Sequence, residues 1–241
     1  MLIQKKIENI LFLDIETVPI YPYYEDLPER FKALWDKKAE QLNMHKAEPL
    51  NNETMYQRAG IYAEFGRIIC ISVAYVVEEN GQRYIRGKSF KDAEEKQLLE
   101  GFAQLINKYY NSTEKLLCAH NGKEFDFPYI ARRMLINSVN IPETLNTAGK
   151  KPWEVNHLDT MELWKFGDYK NYSSLNLLTA VFDIPTPKDD IDGSEVYHVY
   201  WAENNLQRIV DYCQKDVVAI IQLFLRYQGE ELIVDEKISF S

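Results

Sequence analysis

Cysteine is scarce: 241 residues hold only Cys70, Cys118 and Cys213, each in apolar surroundings and far from the others along the chain. That spacing excludes a disulfide framework and a zinc site of closely spaced thiols, and an odd, unpaired set suits a reducing compartment. Positive charge is short as well. Lys plus Arg number 28 against 37 Asp plus Glu, a formal net charge of -9. This argues against a protein that coats nucleic acid by bulk electrostatics, and leaves a small basic groove or bound metal ions as ways to hold phosphates. The apolar stretch in MLIQKKIENILFLD is too short for a signal or membrane segment, and acids interrupt it at once. Internal repeats and low-complexity linkers are missing too. What is present is a hydrophobic fraction of 46% with 13% aromatics, the make-up of a globular, enzyme-like chain long enough for a substantial core. We expect a soluble cytoplasmic protein without membrane contact.

Residues 8–15 read as a strand from their Ile, Leu and Phe density. The long polar segment at 19–66 contains PERFKALWDKKAEQL, where Phe31, Leu34, Trp35 and Leu42 have helical spacing, so a helical insertion is expected there. RIICISVAYVVEE and GQRYIRGKSF read as strands paired about a turn at Glu79, Asn80 and Gly81. EEKQLLEGFAQLINKYY is an amphipathic helix, with Leu98, Leu99, Phe102, Leu105 and Ile106 on one face. KLLCAHNG is a short strand, and FPYIARRMLI a helix with Pro128 in its first turn. VNHLDTMELW, SSLNLLTAVFDIP and NNLQRIVDYCQKDVVAIIQLFLRY complete the series. The order predicts an α/β fold with a mixed central sheet and helices against its faces.

Acids recur where the pattern calls for apolar residues. Asp14 and Glu16 are two apart on a strand and so project from one face, in a segment otherwise built for a core. A carboxylate pair there needs a cation, a proton or an exit to solvent. Asp126 precedes a helix, a position an N-cap also explains. Asp216 borders the apolar stripe of the last long helix, one turn after Tyr212, as a solvated edge also would. Taken singly, each has an ordinary structural reading.

The ordered set of Asp-x-Glu, a central Asp, and Tyr-x-x-x-Asp resembles the DEDD superfamily of 3'-5' exonucleases, tyrosine subclass. It is similar to stand-alone relatives of the proofreading domain of family B DNA polymerases. The resemblance runs from DIET at 14–17 to YCQKD at 212–216, through NGKEFD and the Ser174-Leu175 pair of SSLNLL; IDGSEVYHVYW also looks like a family segment. In the histidine subclass the base stands five residues before the last Asp; here Asp211 occupies that place. His45, His120, His157 and His198 lie elsewhere, His120 with a packing role expected at a strand end.

The resemblance implies a ribonuclease H-like fold over one domain, 1–241, and metal-dependent hydrolysis releasing nucleoside monophosphates from single-stranded or frayed DNA 3' ends. It implies two divalent ions, Mg²⁺ or Mn²⁺, held by Asp14, Glu16, Asp126 and Asp216, with Tyr212 orienting a water. Hard ions of this kind take carboxylate oxygens, and a pair of them suits phosphodiester cleavage. Thr17, Asn121 and Ser174 are the implied substrate contacts. Lys188 is a candidate phosphate cation, and Tyr169, Tyr172, Tyr200 and Trp201 are candidates for stacking on bases. Two other readings stay open: an RNA 3'-end trimmer of the ribonuclease D type, and a non-catalytic nucleic-acid-binding module. A chain of this length has no room for a polymerase, so a separate polymerase or DNA-repair partner is expected; its oligomeric state is open.

Overall fold

The structure is a computed structural model that describes residues 6–44, 47–168, 170, 172–185 and 191–241. Strand β1 (Ile10–Pro19) is followed by helices α1 (Glu29–Asn43) and α2 (Asn52–Tyr56), then by β2 (Gly66–Glu79) and β3 (Gln82–Phe90). Next come α3 (Glu95–Tyr109), β4 (Leu116–Ala119), α4 (Asp126–Ile136), β5 (Leu158–Asp159), α5 (Thr160–Lys165), α6 (Leu175–Val181), α7 (Val196–Trp201), α8 (Leu206–Gln228) and β6 (Ile238–Phe240). The sheet order is β5-β4-β1-β2-β3-β6. β1, β2 and β3 pair antiparallel, while β4 runs parallel to β1, β5 to β4, and β6 to β3. This is the mixed sheet expected from the sequence.

The β2–β3 hairpin turns on Asn80 and Gly81, both at positive φ (52° and 73°), the two-residue geometry that matches strand twist. Alternation along β1 divides the core. Leu11, Leu13 and Ile15 pack with α3 and α4 on one face, against Leu99, Phe102 and Ile130. Ile10 and Phe12 pack with α8 on the other, where Phe12 meets Phe224 edge-on at 5.5 Å. Helix α8 holds 23 residues because an Asn205 side chain caps its first turn and Gly229, at φ 72°, closes the last in the left-handed region.

Three expectations shift. β1 continues past residue 15 to Pro19, because Thr17 and Val18 find partners in Ile68 and Arg67 of β2. Asp126 is the first helical residue of α4 rather than its cap; Phe125 stands at the cap position and makes no side-chain cap bond. β6 follows the last helix and covers an edge, although three residues carry too little periodicity to be read as a strand. Between β1 and β2, α1 and α2 have a separate aromatic core in which Trp35 packs on Tyr56 and Phe65. Among the described residues no helix is long and apolar enough to cross a membrane.

Candidate functional site

Asp14 and Glu16 lie on the α8 face of β1, opposite Ser72 and Cys70 of β2. Just beyond Glu16 the register slips: Glu16 pairs with Cys70 but Thr17 with Ile68, which leaves Ile69 as an extra residue in β2. Ile69 then packs with Val18 and Ile209, while Cys70 packs with Val210 and Cys213. Such a bulge re-aims side chains beside it. Tyr212, Cys213 and Asp216 come from α8, whose stripe through Val217, Ile220 and Phe224 fixes the helix on the sheet.

Asp126 arrives from the N-terminus of α4. Only 2% of it is exposed, and its Oδ1 has no hydrogen-bond partner. The loop before it is tightly folded. Asn121 takes a left-handed φ of 63° and Gly122 sits where a Cβ would come within 2.4 Å of the Ala119 methyl. Buried Asp159 fastens this loop: its Oδ1 accepts from the Asn121 amide at 2.9 Å and the Met161 amide at 2.9 Å, and its Oδ2 from the Lys123 amide at 3.1 Å.

Burial and mutual repulsion raise the acids together. Asp14 is pushed well above the carboxylate range, first by burial and then by Glu16, Asp126 and Asp216, against a counteracting Cys213 thiol. Glu16 is raised by burial, then by Asp216, Cys70 and Asp126. Asp126 rises to about 7, chiefly through burial, with its own amide and that of Ile15 pulling the other way. The Tyr212 phenol is raised by burial and then by Asp216, Glu16 and Asp14, and its hydroxyl is bonded to the Asp216 carboxylate. The four acids and Tyr212 therefore share one neighbourhood. A buried group of like charges is what a divalent ion would relieve. The unpartnered Oδ1 of Asp126 and the all-oxygen acids fit a hard ion.

The other expected residues divide. Thr17, next to Glu16, falls on the opposite face of β1 by strand alternation, the face of Tyr129. Asn121 borders the site with its side-chain Oδ1 buried and unpartnered. Ser174 caps α6, accepting from the Leu177 amide at 3.3 Å. Tyr172 is 68% exposed, near enough to Asp126 and Asp159 for both charges to weigh on its phenol. Tyr200 and Trp201 pack edge-on with each other at 4.9 Å against the Val18 cluster. Lys188 and Tyr169 lie outside the described residues. His120 has the packing role expected of it, bridging Thr160 Oγ1 and the Ser173 carbonyl, each at 2.9 Å.

Cys70 and Cys213 are separated in sequence but not in space: they pack together, and Cys213 Sγ lies 3.4 Å from Asp14 Oδ2. Asp14, Glu16 and Cys213 present ligand atoms within 4.8 Å of one another. Cys213 stands three residues before Asp216, a helical neighbour, and that spacing was the available signal. Nothing in the sequence marked Cys70 or Asp159.

Residues 61–237 match the family model described as a predicted 3'-5' exonuclease related to the exonuclease domain of PolB. The chain belongs to this family. Among solved structures it is similar to the family B DNA polymerase of the hyperthermophilic archaeon Pyrobaculum calidifontis, at 13% identity and a TM-score of 0.51, covering 91% of this chain and 24% of that one. It also matches E. coli exonuclease I in complex with a dT13 oligonucleotide, at 12% identity and a TM-score of 0.40, over 84% of this chain and 42% of that one. This exonuclease-family chain thus spans about a quarter of the polymerase and under half of exonuclease I. The polymerase match carries the fold, and the family carries the class: a 3'-5' exonuclease, a hydrolase of nucleic acid.

Proposed function

We propose that this chain is a metal-dependent 3'-5' exonuclease that removes nucleoside monophosphates from single-stranded or frayed DNA ends. The convergence of Asp14, Glu16, Asp126 and Asp216 around a buried, unpartnered carboxylate oxygen carries the reading. Asp14, from the centre of the set, would be shared between two ions; Glu16 and Asp216 would hold one and Asp126 the other. Bound Mg²⁺ or Mn²⁺ supplies an acidified water and neutralises the phosphoryl and leaving oxygens.

The remaining roles belong to the chain. The Tyr212 phenol, held protonated by burial and three acids, has no phenolate to offer as a base at neutral pH. Its hydroxyl instead orients the attacking water by hydrogen bonding, keeping Asp216 beside it. Asn121 stands on the loop fastened by Asp159 and is the candidate contact to the terminal nucleotide. Ser174 contributes by capping α6, and Thr17 by its backbone pairing with Ile68. The test is digestion of a 5'-labelled single-stranded oligonucleotide with Mg²⁺ or Mn²⁺, in matched DNA and RNA. The expected result is a ladder shortening from the 3' end, faster on DNA and absent in Asp14→Ala. Undiminished digestion by that variant overturns the proposal.

A further inference from the structure

Mg²⁺ and Mn²⁺ have no use for a thiol, yet one abuts the acids. Cys213 is 0% exposed, and its Sγ donates toward Asp14 Oδ2 at 3.4 Å and the Asp14 carbonyl at 3.5 Å. A tetrahedral ion with sulfur at about 2.3 Å and carboxylate oxygen at about 2.1 Å holds those two atoms about 3.6 Å apart. The Cys213–Asp14 pair is already near that separation, and Glu16 completes a three-ligand set within 4.8 Å. Asp126, 2% exposed with Oδ1 unpartnered, lies outside that 4.8 Å set but close enough for its charge to weigh on both acids.

We propose that Asp14, Glu16 and Cys213 form a second coordination set, for a thiophilic divalent ion of the zinc class, overlapping the carboxylate cradle. The inference rests on reading that cradle as a cation site and adds to it a choice between hard and soft ions. Sulfur, imidazole and carboxylate donors suit zinc, and zinc outranks manganese in affinity for a given mixed site. Binding forms one metal–sulfur bond, breaks the S–H bond and releases its proton to solvent; no electron is transferred. With an ion seated there, Asp14 is committed to the sulfur side. Zinc therefore competes with magnesium for Asp14 and Glu16.

The test uses Co²⁺ as the spectroscopic probe. The full chain, stripped of metal by a chelator, is titrated with Co²⁺ and read for sulfur-to-cobalt charge-transfer absorption in the near ultraviolet. Wild type gains the band, added Zn²⁺ erases it, and Cys213→Ser loses it. Should Cys213→Ser fail to fold, the Cys70→Ser/Cys118→Ala double variant leaves Cys213 as the only thiol and must keep the band. Absence of the band from wild type, or its survival in folded Cys213→Ser, overturns the proposal. So does its loss from the folded double variant. Mn²⁺-dependent oligonucleotide digestion on the same preparations separates the two readings. Digestion without the band removes the soft-ion set and spares the nuclease; the band without digestion does the reverse.

Discussion

The two faces of the sheet bury charge in opposite ways. On the α3 and α4 face, Glu95 and Arg133 are 7% and 5% exposed and close on each other. Arg133 Nε donates to Glu95 Oε1 at 2.8 Å and its terminal nitrogen to Oε2 at 2.5 Å. The Ile68 amide and the Asn137 side chain fill the remaining acceptor positions, and Arg133 also donates to the Ala63 carbonyl. On the α8 face, Asp14, Glu16 and Asp216, joined by Asp126 from the start of α4, gather with their own repulsion and an unpartnered oxygen. The first cluster is complete within the protein and serves architecture. The second is incomplete without an added cation, and that incompleteness makes it a candidate site for chemistry.

Breaking the second cluster has the largest expected effect. Asp14→Ala should cut oligonucleotide digestion by about 10³-fold or more, since several kcal/mol of transition-state stabilisation go with the ions it helps hold. Steady-state rates in Mg²⁺ and Mn²⁺ check this. Breaking the first cluster should show as lost stability: Arg133→Met strands Glu95 and costs about 3–5 kcal/mol in denaturant unfolding, with Mn²⁺ affinity unchanged. Tyr212→Phe removes only the hydroxyl, so turnover should fall by about 10²-fold while Mn²⁺ affinity is kept. A pH effect belongs to the architectural side. His157 is lowered from 6.5 to about 4, first by burial, with its Nε2 bonded to the Thr144 carbonyl at 2.8 Å. The folded protein refuses a proton that the unfolded chain accepts below pH 6.5. Its contribution is therefore complete above that pH, declines as pH falls toward 4, and is level below. Unfolding curves should show this slope, flattened in His157→Gln. Asp211, exposed and bonded to Gln207 Nε2 at 2.7 Å, gives the smallest effect. Asp211→Ala should change stability by less than about 0.5 kcal/mol and leave digestion intact.

The two clusters were unequally legible in the sequence. Asp14 and Glu16 stood out because period-two alternation put both on one face of an apolar strand, and Tyr212 with Asp216 because they stand one helical turn apart. The Asn80-Gly81 hairpin and the buried face of α3 followed from equally local rules. Glu95 and Arg133 carry no local mark of their pairing, since nothing local joins residues 38 positions apart. The Ile69 bulge, the meeting of Cys70 with Cys213, and the hold of Asp159 on the Asn121 loop are likewise products of tertiary packing. β6 escaped because its three residues take their stability from the β3 edge they join.

Thermal unfolding of wild type and Asp14→Asn, each with and without Mn²⁺, puts the central claim most directly to the test. Without metal, Asp14→Asn should unfold at the higher temperature, because a buried carboxyl that is costly to ionise beside Glu16, Asp126 and Asp216 becomes a neutral amide. At about 100 times the dissociation constant, Mn²⁺ should stabilise wild type by about 2.7 kcal/mol and the variant far less. If Mn²⁺ leaves the wild-type transition unmoved, the acids on the α8 face do not form a cation site.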